Sequence, residues 1–295
     1  MRGGAAPQTI IEVALVDFAL ETAALTDVGT ERDHNEDACG AAVEGEACAL
    51  AAVADGVSLA AAGEVASDMA ISALLRGWRE VPAAPAGQRL YRAVQQANIE
   101  IYDRAVAVPE LRGMATTLTA AVVDRGELTA VHVGDSRLYL VRGKEIVQLT
   151  KDHTVAAEKV RMRLLSPERA RTHPDRSVLT RSVGRELIVS RDRIGRRLAQ
   201  GDVLVVCTDG LHSVLGDEEI ARLVDGTGAE DACRALLAAA NDRGTPDNLS
   251  AAVIRVVGPS PGAPAEPAPR PGARGRLERL LGRLRGSRGS PQRKP

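Results

Sequence analysis

Five short acidic segments, spread from residue 35 to residue 248, constrain this chain more than anything else in it: Asn35-Glu36-Asp37, Asp55-Gly56, Gly134-Asp135-Ser136-Arg137, Asp209-Gly210 and Pro246-Asp247-Asn248. Four of the five follow or interrupt strongly apolar runs, so each falls where a strand ends and its next side chain points into a cleft. Aspartates that converge on one cleft repel one another unless a cation sits among them. Oxygen-only ligation suits Mg²⁺ and Mn²⁺. The pattern implies a multi-metal hydrolytic centre.

A cleft of this kind needs a rigid scaffold. In 295 residues, 44% are apolar but only 2% aromatic, so a full core is available and must be built from Ala, Val and Leu. The four cysteines, Cys39, Cys48, Cys207 and Cys233, show neither CxxC pairing nor metal-finger spacing and read as thiols in a reducing compartment. No apolar run reaches the ~18–20 residues of a membrane span. Glu12 and Asp17 interrupt the only apolar stretch near the N-terminus, so no signal peptide is read there. A cytoplasmic location is expected.

The net charge of −1 hides an asymmetry, because residues 259–295 carry nine Arg and Lys against two Glu, near +7, which leaves about −8 on the rest. That tail opens with Pro259-Ser260-Pro261-Gly262-Ala263-Pro264, a composition that cannot form a packed core and reads as a disordered linker. Within it Leu277, Leu280, Leu281 and Leu284 recur at helical spacing among Arg276, Arg279, Arg283 and Arg285. Two readings stand: a solvated tail, or a short basic amphipathic helix against an acidic partner, nucleic acid or a membrane surface. For the protein as a whole no nucleic-acid partner is expected, and a monomer is.

Local patterns predict strands over 22–28, 48–54, 117–123, 128–133, 138–141, 146–149, 203–207 and 249–257. Helical spacing marks 61–78, 88–106, 218–224 and 230–240. Asp124-Arg125-Gly126-Glu127 and Arg142-Gly143-Lys144-Glu145 read as hairpin turns, and consecutive hairpins mean antiparallel sheet. The result is an α+β fold of stacked sheets with helices outside. Residues 150–184 are rich in charge, with a helix over 155–164 and a second one capped by Ser166 with Pro167 at its first position. They read as a flap-like surface insertion beside the cleft.

The acidic segments, taken with Arg32-Asp33-His34, Ala62-Gly63-Glu64-Val65-Ala66-Ser67, Thr116-Thr117-Leu118, His132-Val133, Thr172-His173-Pro174, Leu179-Thr180-Arg181-Ser182-Val183-Gly184 and Cys207-Thr208, resemble in order and spacing the metal-dependent protein phosphatases of the PPM or type 2C family, in their bacterial Ser/Thr form. The resemblance implies a four-layer α-β-β-α sandwich of two antiparallel sheets flanked by helices. It divides the chain into a lead-in over 1–21, partly strand, a phosphatase domain over 22–258 and the basic tail over 259–295.

Residue by residue, it implies that Asp37, Asp55, Asp209 and Asp247, with the carbonyl of Gly56, hold two Mn²⁺ or Mg²⁺ ions, and that Glu36 acts through water. Asp135 with Asp209 matches a looser third site, Arg32 matches the phosphate-gripping arginine, and Asn248 would orient Asp247. Arg32, Asp37 and Asp209 are the residues expected to carry catalysis. The implied activity is hydrolysis of phosphomonoesters on phosphoserine and phosphothreonine proteins, Ser/Thr kinases or their targets among them, by a water or hydroxide bridging the cations. Unaided chemistry agrees, since water between two cations is a nucleophile at neutral pH and a guanidinium binds phosphoryl oxygens bidentately. No Cys-x5-Arg loop is present, because Ser213 stands at the sixth position after Cys207.

The chain departs from the family at Val57-Ser58-Leu59-Ala60, where relatives carry glycines and a loop histidine. An imidazole that protonates a leaving group contributes about 10²–10⁴-fold, so this change raises an alternative: a weakly catalytic phosphatase fold that binds a phosphoprotein or regulator. A small phosphate ester as substrate is a third reading. His132 and His153 lie at strand ends and resemble structural hydrogen-bonders more than catalytic bases.

Overall fold

The computed structural model describes residues 18–57 and 62–259. Within them two antiparallel sheets pack face to face. The five-stranded sheet runs in the order β1 (Phe18–Asp27), β11 (Leu249–Pro259), β10 (Val203–Cys207), β7 (Arg137–Arg142), β8 (Glu145–Gln148). The second runs β2 (Asp37–Glu44), β3 (Cys48–Val57), β5 (Leu118–Asp124), β6 (Glu127–Val133), β9 (Asp192–Arg197), with the short β4 (Ala115–Thr116) paired to the end of β3.

Helices α1 (Ala62–Glu80) and α2 (Ala86–Ala107) cover the outer face of the second sheet. On the other side α5 (Asp209–His212), α6 (Asp217–Val224) and α7 (Ala229–Asp242) cover the first. Helices α3 (Val155–Arg161) and α4 (Pro167–Ala170) belong to the 150–184 segment. The expected four-layer sandwich is therefore the observed one.

Period-two alternation of small apolar side chains builds the layers. Along β3, Leu50, Ala52 and Ala54 face the helices, while Ala49, Ala51 and Val53 face the opposite sheet. Strand β10 repeats this, with Val203, Val205 and Cys207 toward its helices and Leu204 and Val206 toward the partner sheet. Both strands are central and buried on both faces, which is why they read as continuous apolar runs.

The turn between β5 and β6 places Arg125 and Gly126 at φ 48° and 77°, the twist-matched hairpin geometry read from the sequence.

Several expectations shift. The first strand begins at Phe18 rather than residue 22. Helix α3 is capped by the Thr154 hydroxyl and ends at Arg161 rather than residue 164, because Arg163 turns to φ 59°. Ser166 caps α4 as expected, accepting from the Arg169 N–H. Two strands carry no clear sequence signal: β2 alternates small residues with no β-branched run, and β9 is arginine-rich. Among the described residues no helix is long and apolar enough to cross a membrane. The loop replacement at 58–60 and the basic tail lie outside the described residues, apart from Pro259.

Candidate metal centre

The acidic segments come together at one end of the sandwich, and they come from both sheets. Asp37 opens β2 and stands directly across from Asp55 near the end of β3. Asp209 follows β10, Asp247 precedes β11, and Asp135 lies on the crossing that carries the chain from β6 in one sheet to β7 in the other.

Each carboxylate is placed by its own fixed partners. Asp37 is buried, and its Oδ2 accepts from the Thr208 and Ser250 hydroxyls at 2.7 and 2.9 Å. Asp55 is held through its backbone: its N–H donates to Thr117 Oγ1 at 2.9 Å, and its carbonyl accepts from Thr116 Oγ1 at 2.8 Å. The Asn248 amide ties the segments together, accepting from the Glu36 N–H at 2.9 Å and donating to the carbonyls of Val28 and His34.

Gly56 allows the closest approach. A Cβ there would stand 2.2 Å from the Gly63 carbonyl oxygen and 2.7 Å from that of Glu36, so the backbones of β3 and α1 meet only because neither residue carries a side chain.

The electrostatics follow from the crowding. Burial, opposed by its two hydroxyl donors and reinforced by the charges of Asp209 and Asp247, pushes Asp37 up to about 7. Burial and the charges of Asp37 and Asp209 raise Asp55 well above the ordinary range, and burial with Asp209 does the same for Asp135. Asp209 reaches about 6, through burial and the charge of Asp247. Burial also raises Glu36, against the lowering charge of Arg32.

Arg32 closes the rim. Its Nη2 lies 2.8 Å from Asp247 Oδ1, and its Nε donates to the Pro246 carbonyl at 3.0 Å.

The donor chemistry fits a divalent cation: oxygens only, enclosed, and mutually repelling as anions. The side chains are not yet gathered around one point, since among the described residues no three such groups stand together at ligand spacing. Their present partners explain this. Asp247 is taken by Arg32, and Asp37 by two hydroxyls. Asp209 accepts a hydrogen bond from Asp55.

Two histidines brace Asp135: His153, which the sequence marks as a structural hydrogen-bonder, and His212, which it does not mark. His153 Nδ1 accepts the Gly134 N–H at 3.1 Å, and the His153 backbone N–H donates to the Gly134 carbonyl at 2.8 Å. With Nδ1 accepting, its proton sits on Nε2, 3.3 Å from the Asp192 carboxylate. From the other side His212 Nε2 donates to the Asp135 carbonyl at 3.0 Å. Burial pushes His212 and His132 down to about 4 and lowers His153, so all three are neutral at pH 7. These are braces rather than bases. Thr208 and Ser250 were missed as well, although each stands beside an acidic motif.

A specific result follows for His153. Replacement by Leu strands a buried N–H at Gly134 and should destabilise the protein by about 1–3 kcal/mol. His153→Asn, whose Oδ1 reaches the Nδ1 position, should recover most of that loss. Urea unfolding of the three proteins checks it, and equal loss in both variants would dismiss the acceptor role.

Comparison with known proteins places this arrangement. A family profile described as protein phosphatase 2C matches residues 30–254. The serine/threonine protein phosphatase PstP of Mycobacterium tuberculosis is 36% identical over 246 residues, covering 83% of this chain and 46% of that protein. The chain therefore spans about half the length of that relative. The serine/threonine phosphatase stp of Listeria innocua is 32% identical, over 78% of this chain and 93% of its own. The crystal structure of the PstP catalytic domain in complex with two manganese ions superposes with a TM-score of 0.72 at 34% identity, covering 81% of this chain and 99% of that one. With its acidic segments, two-sheet scaffold and these relatives in agreement, the chain belongs to the protein phosphatase 2C family.

Proposed function

We propose that this chain is a metal-dependent serine/threonine phosphoprotein phosphatase that hydrolyses phosphomonoesters, acting on phosphoserine and phosphothreonine proteins, Ser/Thr kinases or their targets among them, in the cytoplasm. The observation that carries the reading is the convergence of Asp37, Asp55, Asp135, Asp209 and Asp247 from two sheets beneath a rim arginine.

Asp37, Asp55, Asp209 and Asp247, with the Gly56 carbonyl, would hold two Mn²⁺ or Mg²⁺ ions. Glu36 would serve through water, and Asp135 with Asp209 a third ion. Such ions, when bound, lower the pKa of water and offset charge on phosphoryl oxygens.

The chain's own residues do the rest. Thr208 and Ser250 hold Asp37 at fixed height, and Asn248 locks the Glu36 backbone to the Asp247 segment. Arg32, half exposed at the rim, is free to turn from Asp247 toward an arriving phosphate dianion, a better partner for its planar fork. The same turn releases Asp247.

Residues 150–184 border this rim and would act as its flap. What supports this is His153, itself within the segment, whose Nδ1 accepts the Gly134 N–H at 3.1 Å beside Asp135.

A cysteine route is disfavoured. Cys207 is buried, and burial pushes its thiol up to about 12, leaving almost no thiolate at neutral pH.

The test is hydrolysis of p-nitrophenyl phosphate and a phosphothreonine peptide with EDTA, Mg²⁺ or Mn²⁺. Metal-dependent turnover of both supports the reading, and no turnover of either sinks it. In the same assay Arg32→Ala should raise KM for the aryl phosphate about tenfold, the loss of a charge-assisted bidentate contact. By calorimetry it should bind Mn²⁺ at least as tightly as the parent, because Asp247 loses its competing partner.

A further inference from the structure

Positive charge gathers at one sheet edge and is only partly neutralised. Residues 181–197 carry six arginines, on a body whose net charge is negative. Two are spent locally: Arg181 on Asp192 at 2.8 Å and Arg197 on Glu127 at 2.9 Å. Among the described residues Arg185, Arg191, Arg193 and Arg196 have no carboxylate within ion-pairing reach.

Three of these four lie along or next to β9, the terminal strand of its sheet. The outer backbone groups of a terminal strand have no ladder partner. Arg193 is also pre-set: its guanidinium stacks 3.5 Å from the centre of the Tyr91 ring, with Arg191 5.5 Å from the same ring. Just upstream Leu187 and Ile188 are 52% and 75% exposed.

The position links this edge to the reaction. Asp192 at the start of β9 stands opposite His132, and the chain runs from there through Val133, the last residue of β6, and Gly134 to Asp135. The strip therefore starts at the acidic cleft and leads away from it.

We propose that the β9 edge is a docking strip for an extended, acidic segment of the phosphorylated partner, which pairs with the free backbone of β9 and places carboxylates on Arg193 and Arg196. The inference rests on the phosphoprotein reading above and names a feature of its substrate. Edge charges also discourage self-pairing, but any charged side chain serves that end. Arginine's planar fork matches carboxylates bidentately, and because strand side chains alternate faces, an added strand can set one carboxylate on Arg193 at the helix side and another on Arg196 at the opposite face.

The experiment uses the full chain and the double variant R193E/R196E. The substrates are p-nitrophenyl phosphate and two phosphothreonine peptides, one with a run of Glu and Asp beside the phosphoresidue and one with a neutral run. For the acidic peptide the variant should raise KM about tenfold with kcat unchanged, and the effect should shrink in high salt. The neutral peptide and the aryl phosphate should be unaffected, and unchanged aryl turnover also shows that the variant is folded.

A second arm measures anisotropy of a fluorescent Glu/Asp-rich peptide without phosphate, which should bind the parent and not the variant. Equal KM for the acidic peptide in both proteins overturns the proposal. So does tight binding of a single-stranded oligonucleotide but not of the peptide, or a change of oligomeric state in the variant. Failure of the phosphatase reading looks different: the parent would turn over nothing, while the anisotropy arm still reports on the strip.

Discussion

Asp209→Asn is expected to lower Mn²⁺-dependent turnover of p-nitrophenyl phosphate by roughly 10³-fold or more, since on the proposed assignment it removes a charge that would serve more than one cation. The same change should make the metal-free protein more stable. Asp209 is a source of repulsion for three neighbours at once, raising Asp37, Asp55 and Asp135. An amide of the same shape removes that repulsion and can still hydrogen-bond to Asp55. Calorimetric melting in EDTA at neutral pH should show a Tm above that of the parent, by about 2–4 °C for each kcal/mol relieved. The two signs together separate a functional carboxylate from a structural one, because loss of a structural residue lowers both numbers. A variant that is both inactive and less stable would refute this account of Asp209.

The second large effect is on stability against pH. In the folded, metal-free protein Asp37 is raised to about 7, and Asp55 and Asp135 are raised well above the ordinary range. Their unfolded counterparts titrate near about 3.9. Above pH 6.5 the folded chain therefore binds more protons than the unfolded one, and stability must fall as pH rises through these folded values. The slope is about 1.4 kcal/mol per pH unit for each carboxyl still protonated.

Below pH 6.5 the trend is opposed. His132 and His212 titrate near 4 when folded, and His153 is also lowered, so acidification favours the unfolded chain at all three. Asp152 adds to this at still lower pH: despite its burial, the hydrogen bonds and charge of Arg137 hold its carboxyl below the ordinary range. Metal-free melting temperatures should accordingly decline from pH 6.5 to 8.5, and saturating Mn²⁺ should abolish the decline by favouring the charged carboxylates. A flat metal-free profile over that range would contradict the crowding described here.

Much of this was legible in the order of residues. The strands that end in functional aspartates are central and buried on both faces, so Cys48–Val57 and Val203–Cys207 announce themselves as apolar runs stopped by Asp-Gly. The hairpins were legible because their turns demand glycine. Strand β9 was not, since arginines mask its period and only pairing to β6 makes it a strand. Strand β2 was hidden because Ala and Gly, chosen to let α1 approach, carry little strand preference.

In the site, acidic motifs were readable from spacing. Apart from His153 the braces were not, because a threonine, a serine or a histidine gains its meaning only from a carboxylate or backbone group brought from another element. His212 lies 77 residues from the carbonyl it holds.

The acidic cluster draws Asp37 and Asp55 from one sheet and Asp209 and Asp247 from the other, with Asp135 on the crossing between them. An ion held there as proposed would act as a rivet through both plates of the sandwich. Beyond the stability that any ligand of the folded chain adds, it would lengthen lifetime: sheets pinned at one end must release the ion before they can part. Under a pulling force, or in a slow proteolysis experiment, the loaded protein should open late and from the far end, where the Glu44–Cys48 turn lies. Chelation would shorten that wait without altering which fold the chain prefers.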